Sequence, residues 1–324
     1  MGFLHSIEIK KVIKDAIRLK PRENVLIVYD EEKESIANLF FKACESITEV
    51  YSSRIKKREE TRREPPKAIA EAMKFSDVIL AITSISLTHS KAIRDAIKRG
   101  ARVASMPGLN KKMFPALFVN YENMRKECKK LAKKFNGVKE IRIKTKLGTN
   151  LVLNCDKRKV KIDDGILDKK GNLHNLPAGE VFVAPIENSA NGKIVFDVCM
   201  NSVGKIKNPI KIEVRNGRIV KISGREEANN FKKILSKADK NSNVLCEFSI
   251  GMNKNAKIVG EVLNDEKVFG TCHVAFGDNK NIGGKNKSNV HLDGVINKPT
   301  IWLDGKILMK EGVFDECHWK KKNS

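Results

Sequence analysis

Asn24-Val25-Leu26-Ile27-Val28-Tyr29, closed by Asp30, is the stretch that decides the fold of the first part of the chain. It is too short for a helix and is apolar on both alternating sets of positions, which marks a strand buried on both faces of a sheet. Outward from it, residues 32–46 carry helical periodicity, and Glu49-Val50-Tyr51-Ser52 reads as the next strand. Pro65-Pro66 opens a helix that ends near Phe75, with proline in the first turn where its missing N–H costs nothing. Asp77–Ile82 repeats the buried-strand pattern. Ser90 caps a helix that runs to Arg99 and is stopped by Gly100, and Arg102–Met106 is a further strand halted by Pro107-Gly108. Strands alternating with helices at this spacing predict an α/β N-terminal domain with a parallel sheet, Rossmann-like in architecture, over residues 1–136. No G-x-G-x-x-G follows the first strand, so no dinucleotide site is inferred.

A basic helix over about residues 119–135 leads out of this domain, and past Asn136-Gly137 the period changes to two. Val138–Lys146, Asn150–Asn154, Glu180–Ala184 and Lys193–Met200 read as strands. Asn216-Gly217 and Asp304-Gly305 each sit between two alternating runs, the strongest short-range hairpin signal. One helix, about residues 226–237, interrupts the strands. Residues 137–324 are therefore predicted to form a mainly antiparallel β (α+β) domain, with a frayed tail from His318 to Ser324.

The whole chain has 324 residues, 41% hydrophobic and 31% charged, which excludes a disordered protein. No apolar run is long enough to span a bilayer, and the N-terminus lacks the pattern of a signal peptide, so a cytoplasmic protein without a membrane partner is expected. The seven cysteines are odd in number and never at C-x-x-C spacing, which reads as free thiols. Lys plus Arg number 63 against 39 Asp plus Glu, a net charge of +24, and residues 51–150 hold 25 basic and 9 acidic side chains. Arg125, Lys126, Lys129, Lys130, Lys133 and Lys134 recur at helical spacing without interleaved aromatic residues. That is the pattern of a solvated helix face rather than of a nucleic-acid stacking platform, and nucleic acid is not the expected partner.

Chemistry concentrates near the C-terminus. His273 lies in D-E-K-V-F-G-T-C-H-V-A-F-G at 265–277, and His291 and Asp293 in G-G-K-N-K-S-N-V-H-L-D-G at 283–294. On a strand His291 and Asp293 point to one face, and with His273 from a neighbouring strand they form a facial set of three metal ligands. Glu180 and Glu247 each head an apolar strand, where an unpaired carboxylate is costly to bury. Two Glu, two His and one Asp are the donors that a pair of divalent ions sharing a carboxylate needs.

From about residue 172 to 314 the chain resembles the thermophilic, aminopeptidase T type family of two-metal aminopeptidases. The likeness rests on N-L-P-A-G-E-V-F at 175–182, E-F-S-I-G-M-N at 247–253, the 265–277 segment, G-G-K-N at 283–286 and H-L-D at 291–293. In the first domain it is looser, through Thr88-His89-Ser90 and the run from Gly100 to Gly108. The resemblance implies that Glu180, Glu247, His273, His291 and Asp293 hold two divalent ions (Zn, Co, Mn or Mg), with Glu247 as the bridge and catalytic centre. The activity implied is release of N-terminal residues from peptides by a metal-activated water, and a homodimer. Asp265 and Glu266 are candidates for orienting the imidazoles. The family's tyrosine seven residues after the histidine matching His273 is replaced here by Lys280, a candidate for stabilising developing negative charge. An alternative uses only His273, His291 and Asp293 on a single Fe(II), as in the ring-cleaving dihydroxypyridine dioxygenases, which are similar in fold and resemble this chain in length. A third reading, a catalytically inactive binding protein, draws on the positive charge and on Lys280.

Overall fold

The computed structural model describes residues 2–57, 64–88 and 90–315. His89, Cys317 and the tail expected to fray lie outside the described residues. The chain divides into two compact units, residues 1–125 with 163–178 and residues 126–162 with 179–324.

The first unit is an α/β fold around a five-stranded parallel sheet. Its strand order is Val50–Ile55, Val25–Asp30, Val78–Ile82, Arg102–Ser105 and Leu173–Asn175. Val78–Ile82 is buried at every position, the environment its continuous apolar run requires. Helices Glu34–Glu45, Lys67–Lys74 and Lys91–Lys98 connect the strands, and Ser90 Oγ accepts the N–H of Ile93 at 3.2 Å to start the last of them. Two elements had no sequence signal. Helix Gly2–Val12 precedes the first strand, and Leu173–Asn175 becomes a strand by pairing with Val103–Ser105 rather than through its own Leu-His-Asn composition.

The second unit holds an eight-stranded sheet and a seven-stranded sheet. Both expected hairpins form, with Asn216 and Gly217 at φ +48° and +72° and Asp304 and Gly305 at +45° and +77°, the paired left-handed residues of tight two-residue turns. The seven-stranded sheet runs Gly204–Lys205, Cys199–Met200, His291–Ile296, Cys272–Gly277, Leu245–Gly251, Glu180–Val183 and Lys161–Asp163. One face of its three central strands is apolar. There Phe276 meets Phe196 of the eight-stranded sheet edge to face at 6.5 Å and Phe231 at 6.4 Å. Gly294 admits this packing, because a Cβ there would lie 2.5 Å from the Phe196 ring.

Helix Tyr121–Lys134 buries Tyr121, Met124, Cys128 and Leu131 and leaves Lys126, Lys129, Lys133 and Lys134 exposed, so its charge is a solvated face. Cys44, Cys128, Cys155, Cys199, Cys246 and Cys272 are buried thiols outside any disulfide. Among the described residues no helix is long and apolar enough to cross a membrane.

Candidate metal centre

The other face of the seven-stranded sheet carries the candidate ligands, and strand register puts them there. Glu247 pairs with Ala275 and Ala275 with Asp293; Ser249 pairs with His273; Gly251 pairs with Glu180; Gly277 pairs with His291. Directly paired residues of antiparallel strands share a face, as do residues two apart on one strand. Glu180, Glu247, Ser249, His273, His291 and Asp293 therefore project from one surface, with the small side chain of Ala275 paired between Glu247 and Asp293. A bulge at Cys246, where the register slips between Leu245 and Glu247, turns its thiol to within 3.6 Å of His291 Nδ1.

The five residues singled out in the sequence converge. Nε2 of His273 lies 3.6 Å from Glu180 Oε2, 3.6 Å from Glu247 Oε1 and 3.7 Å from Asp293 Oδ1. Nε2 of His291 lies 3.2 Å from Glu247 Oε2 and 3.2 Å from Asp293 Oδ1. Glu266 joins the group, offering an oxygen within 4.8 Å of donor atoms of His273 and Asp293. The cluster is closed at one end and open at the other. Side-chain exposure is 2% at His273 and 7% at Glu180 and Glu247, but 19% at His291 and 13% at Asp293.

This donor set fits a metal ion. His291 Nδ1 donates to the Asp278 backbone carbonyl at 2.7 Å, which places its proton there and leaves the Nε2 lone pair facing two carboxylates. Lone pairs of two imidazoles and several carboxylates turned toward one point repel unless a cation lies among them. The imidazoles respond by gaining basicity. Burial alone would lower His273, yet Glu247, Glu180, Glu266 and Asp293 push it up to about 9. His291 is likewise driven well above its ordinary value against burial, chiefly by Asp293. Burial raises Glu266 to about 7, whereas His291 holds Asp293 far below the usual carboxylate range against the effect of burial. The Nδ1 of His273 is buried and has no hydrogen-bond partner among the described residues.

The sequence reading missed Lys267. Its ammonium is completely buried and sits 2.5 Å from Glu180 Oε1 and 2.7 Å from Glu266 Oε1. Gly251 makes this possible, since a Cβ there would lie 2.2 Å from Val268 O and 2.9 Å from Glu266 O, so the backbone of residues 266–268 packs against the residue paired with Glu180. The available signal was a lysine between an acidic pair and the apolar Val268-Phe269. Lys280, by contrast, stands exposed in the single turn Lys280–Ile282, and its ammonium makes none of the bonds that tie the cluster together. Asp265 is fully buried and accepts the backbone N–H groups of Val259 and Gly260, each at 2.8 Å, so its carboxylate holds a loop rather than an imidazole.

Comparison with known proteins bears on this centre. The sequence model of the 2,5-dihydroxypyridine 5,6-dioxygenase family matches residues 9–316. The 2,5-dihydroxypyridine 5,6-dioxygenase of Pseudomonas putida is 22% identical over 261 residues, covering 76% of this chain and 73% of that protein. Among solved structures, 2,5-dihydroxypyridine dioxygenase from P. putida KT2440 is similar with a TM-score of 0.82 at 18% identity, covering 97% of this chain and 98% of its own. Wild-type AmpT from Thermus thermophilus is similar with a TM-score of 0.67 at 15% identity, covering 96% and 98%.

These matches overturn the expectation of an aminopeptidase, and with it the readings as hydrolase and protease. The likeness to AmpT is one of fold alone. The physical reason lies in what the shared motifs encode. Glycines, apolar alternation and the clustered polar residues at 180, 247, 273, 291 and 293 build the sheet and its polar face, and such a face serves more than one chemistry.

Proposed function

The chain belongs to the 2,5-dihydroxypyridine 5,6-dioxygenase family, and from that premise we propose that it is a mononuclear iron(II) dioxygenase that opens the ring of a small dihydroxylated pyridine. The observation that carries this reading is the position of Asp293, whose Oδ1 lies 3.2 Å from Nε2 of His291 and 3.7 Å from Nε2 of His273 on the more exposed side of the cluster. Two imidazoles and one carboxylate form the facial triad that holds ferrous iron while leaving positions for other ligands. When bound, iron supplies the redox chemistry by which dioxygen reacts with an electron-rich ring.

The chain's own groups do the rest. His273, His291 and Asp293 would hold the metal, and the Asp278 carbonyl holds the His291 ring in its tautomer. Glu247 spans both imidazoles and presents a buried carboxylate to accept the proton of an incoming ring hydroxyl. The apolar strands beneath and the closed Glu180 end keep bulk water away, so the ring enters from the His291–Asp293 side. Anaerobic loading with Fe(II), followed by 2,5-dihydroxypyridine and air, tests the proposal. Expected are oxygen uptake and loss of ring absorbance, both abolished by an iron chelator. An iron-loaded protein that consumes no oxygen with any dihydroxypyridine sinks it.

A further inference from the structure

The cluster contains more negative charge than one divalent ion balances. Glu180, Glu247, Glu266 and Asp293 surround His273, and Glu180 divides its two oxygens between separate partners. Its Oε2 faces Nε2 of His273 at 3.6 Å and accepts Ser249 Oγ at 3.0 Å, whereas its Oε1 takes the Lys267 ammonium at 2.5 Å. Glu266 repeats the pattern, pairing with Lys267 at 2.7 Å while lying within 4.8 Å of the His273 and Asp293 donors. A carboxylate shared in this way is how two neighbouring metal ions are bridged in binuclear centres. Here one oxygen of Glu180 and one of Glu266 are taken by a side chain, the Lys267 ammonium.

We infer that Lys267 is the resident second cation of the centre: its ammonium engages Glu180 Oε1 and Glu266 Oε1, neutralises carboxylates that another divalent ion would need, and so restricts the protein to one metal. The inference rests on the mononuclear reading above and deepens it by naming the residue that enforces the stoichiometry. An ammonium suits this task. It carries charge without the open coordination positions of a metal, its three protons reach two carboxylates, and full burial keeps it from exchanging with water. Its backbone is fixed by the close approach of residues 266–268 to Gly251, so the ammonium is delivered by the fold and not by a flexible surface stem. Removing it leaves two buried carboxylates uncompensated, which creates a demand for another cation.

The test is metal stoichiometry, which does not depend on turnover. Chelator-stripped wild-type protein and Lys267→Met are titrated with Mn2+ by calorimetry, and their metal content is measured after desalting. The wild type binds about one ion per chain and the variant about two, the latter with the electron spin resonance signature of a coupled pair. Lys267→Met combined with Glu266→Gln returns to about one, because half of the second site is gone. A folded Lys267→Met that still binds a single ion overturns the inference and leaves the dioxygenase reading intact. Wild-type protein that takes up two ions at saturating Mn2+ also overturns it, and this arm decides the matter if the variants do not fold. Wild-type protein that binds none overturns both.

Discussion

The Asp278 carbonyl, 2.7 Å from Nδ1 of His291, decides which nitrogen of that ring is free, and the antiparallel register then aims the free nitrogen at Asp293 and Glu247. Asp293 is the most exposed of the carboxylates near His291 and stands within 3.7 Å of both imidazoles, which is why the proposed facial triad takes it as the carboxylate. Asp293→Asn keeps the shape and removes one anionic donor. Iron content after desalting is expected to fall by at least about 10-fold, with the circular dichroism spectrum unchanged. Retention of full iron by the variant would assign the carboxylate ligand to Glu247. Residue types and strand spacing made these donors legible in the sequence, because a His or Glu inside an apolar strand is costly unless partnered. Lys267 was not legible in the same way. Its role depends on a loop folding back against Gly251, and no periodicity within residues 265–270 reports that contact.

At the scale of elements, the centre depends on three central strands being held in register between a polar and an apolar face. Gly251 and Gly294 are where that arrangement leaves no space: a Cβ at 251 meets Val268 O at 2.2 Å and one at 294 meets the Phe196 ring at 2.5 Å. Gly305 differs, since it occupies a hairpin turn at φ +77° with nothing within 4 Å of the added carbon. Gly251→Ala and Gly294→Ala are each expected to cost about 3 kcal/mol through forced backbone or ring shifts. Gly305→Ala should cost about 1 kcal/mol, the penalty of a left-handed alanine. Urea unfolding of the three variants checks this, and equal midpoints would show that the sheet absorbs the added carbons. The hairpins, the 226–237 helix and the buried parallel strands were readable because turn chemistry and period are local. The strand Leu173–Asn175 was not, because only its partner Arg102–Ser105 makes it a strand.

For the whole molecule, the contrast between fold and activity explains where a sequence reading succeeds and where it fails. The α/β unit and the mainly antiparallel unit follow from patterns that a family of folds shares, and the same donors on the same sheet face suit either one or two metals. Activity does not follow from those shared patterns, so a likeness of long motifs overreached. Global stability offers a check that is independent of the centre. In the first unit His174 is largely buried, and its Nδ1 lies 2.7 Å from Asp163 Oδ1, with Asp164 Oδ1 3.9 Å from Nε2. Burial works to lower its pKa, but the hydrogen bond and charge of Asp163 outweigh that and raise it above the ordinary histidine value. A group whose folded pKa is raised stabilises the fold fully below its unfolded value, near about 6.5, and loses that contribution as pH rises through the folded value. His174→Asn keeps an N–H donor for Asp163 but does not titrate. Melting temperatures of wild type and variant should differ most below the unfolded histidine value of about 6.5, and converge as the pH rises through the folded value. Taking the difference at matched metal loading cancels the titration of the cluster, and a difference that stays constant across the range would show that the His174–Asp163 pair is not coupled to folding.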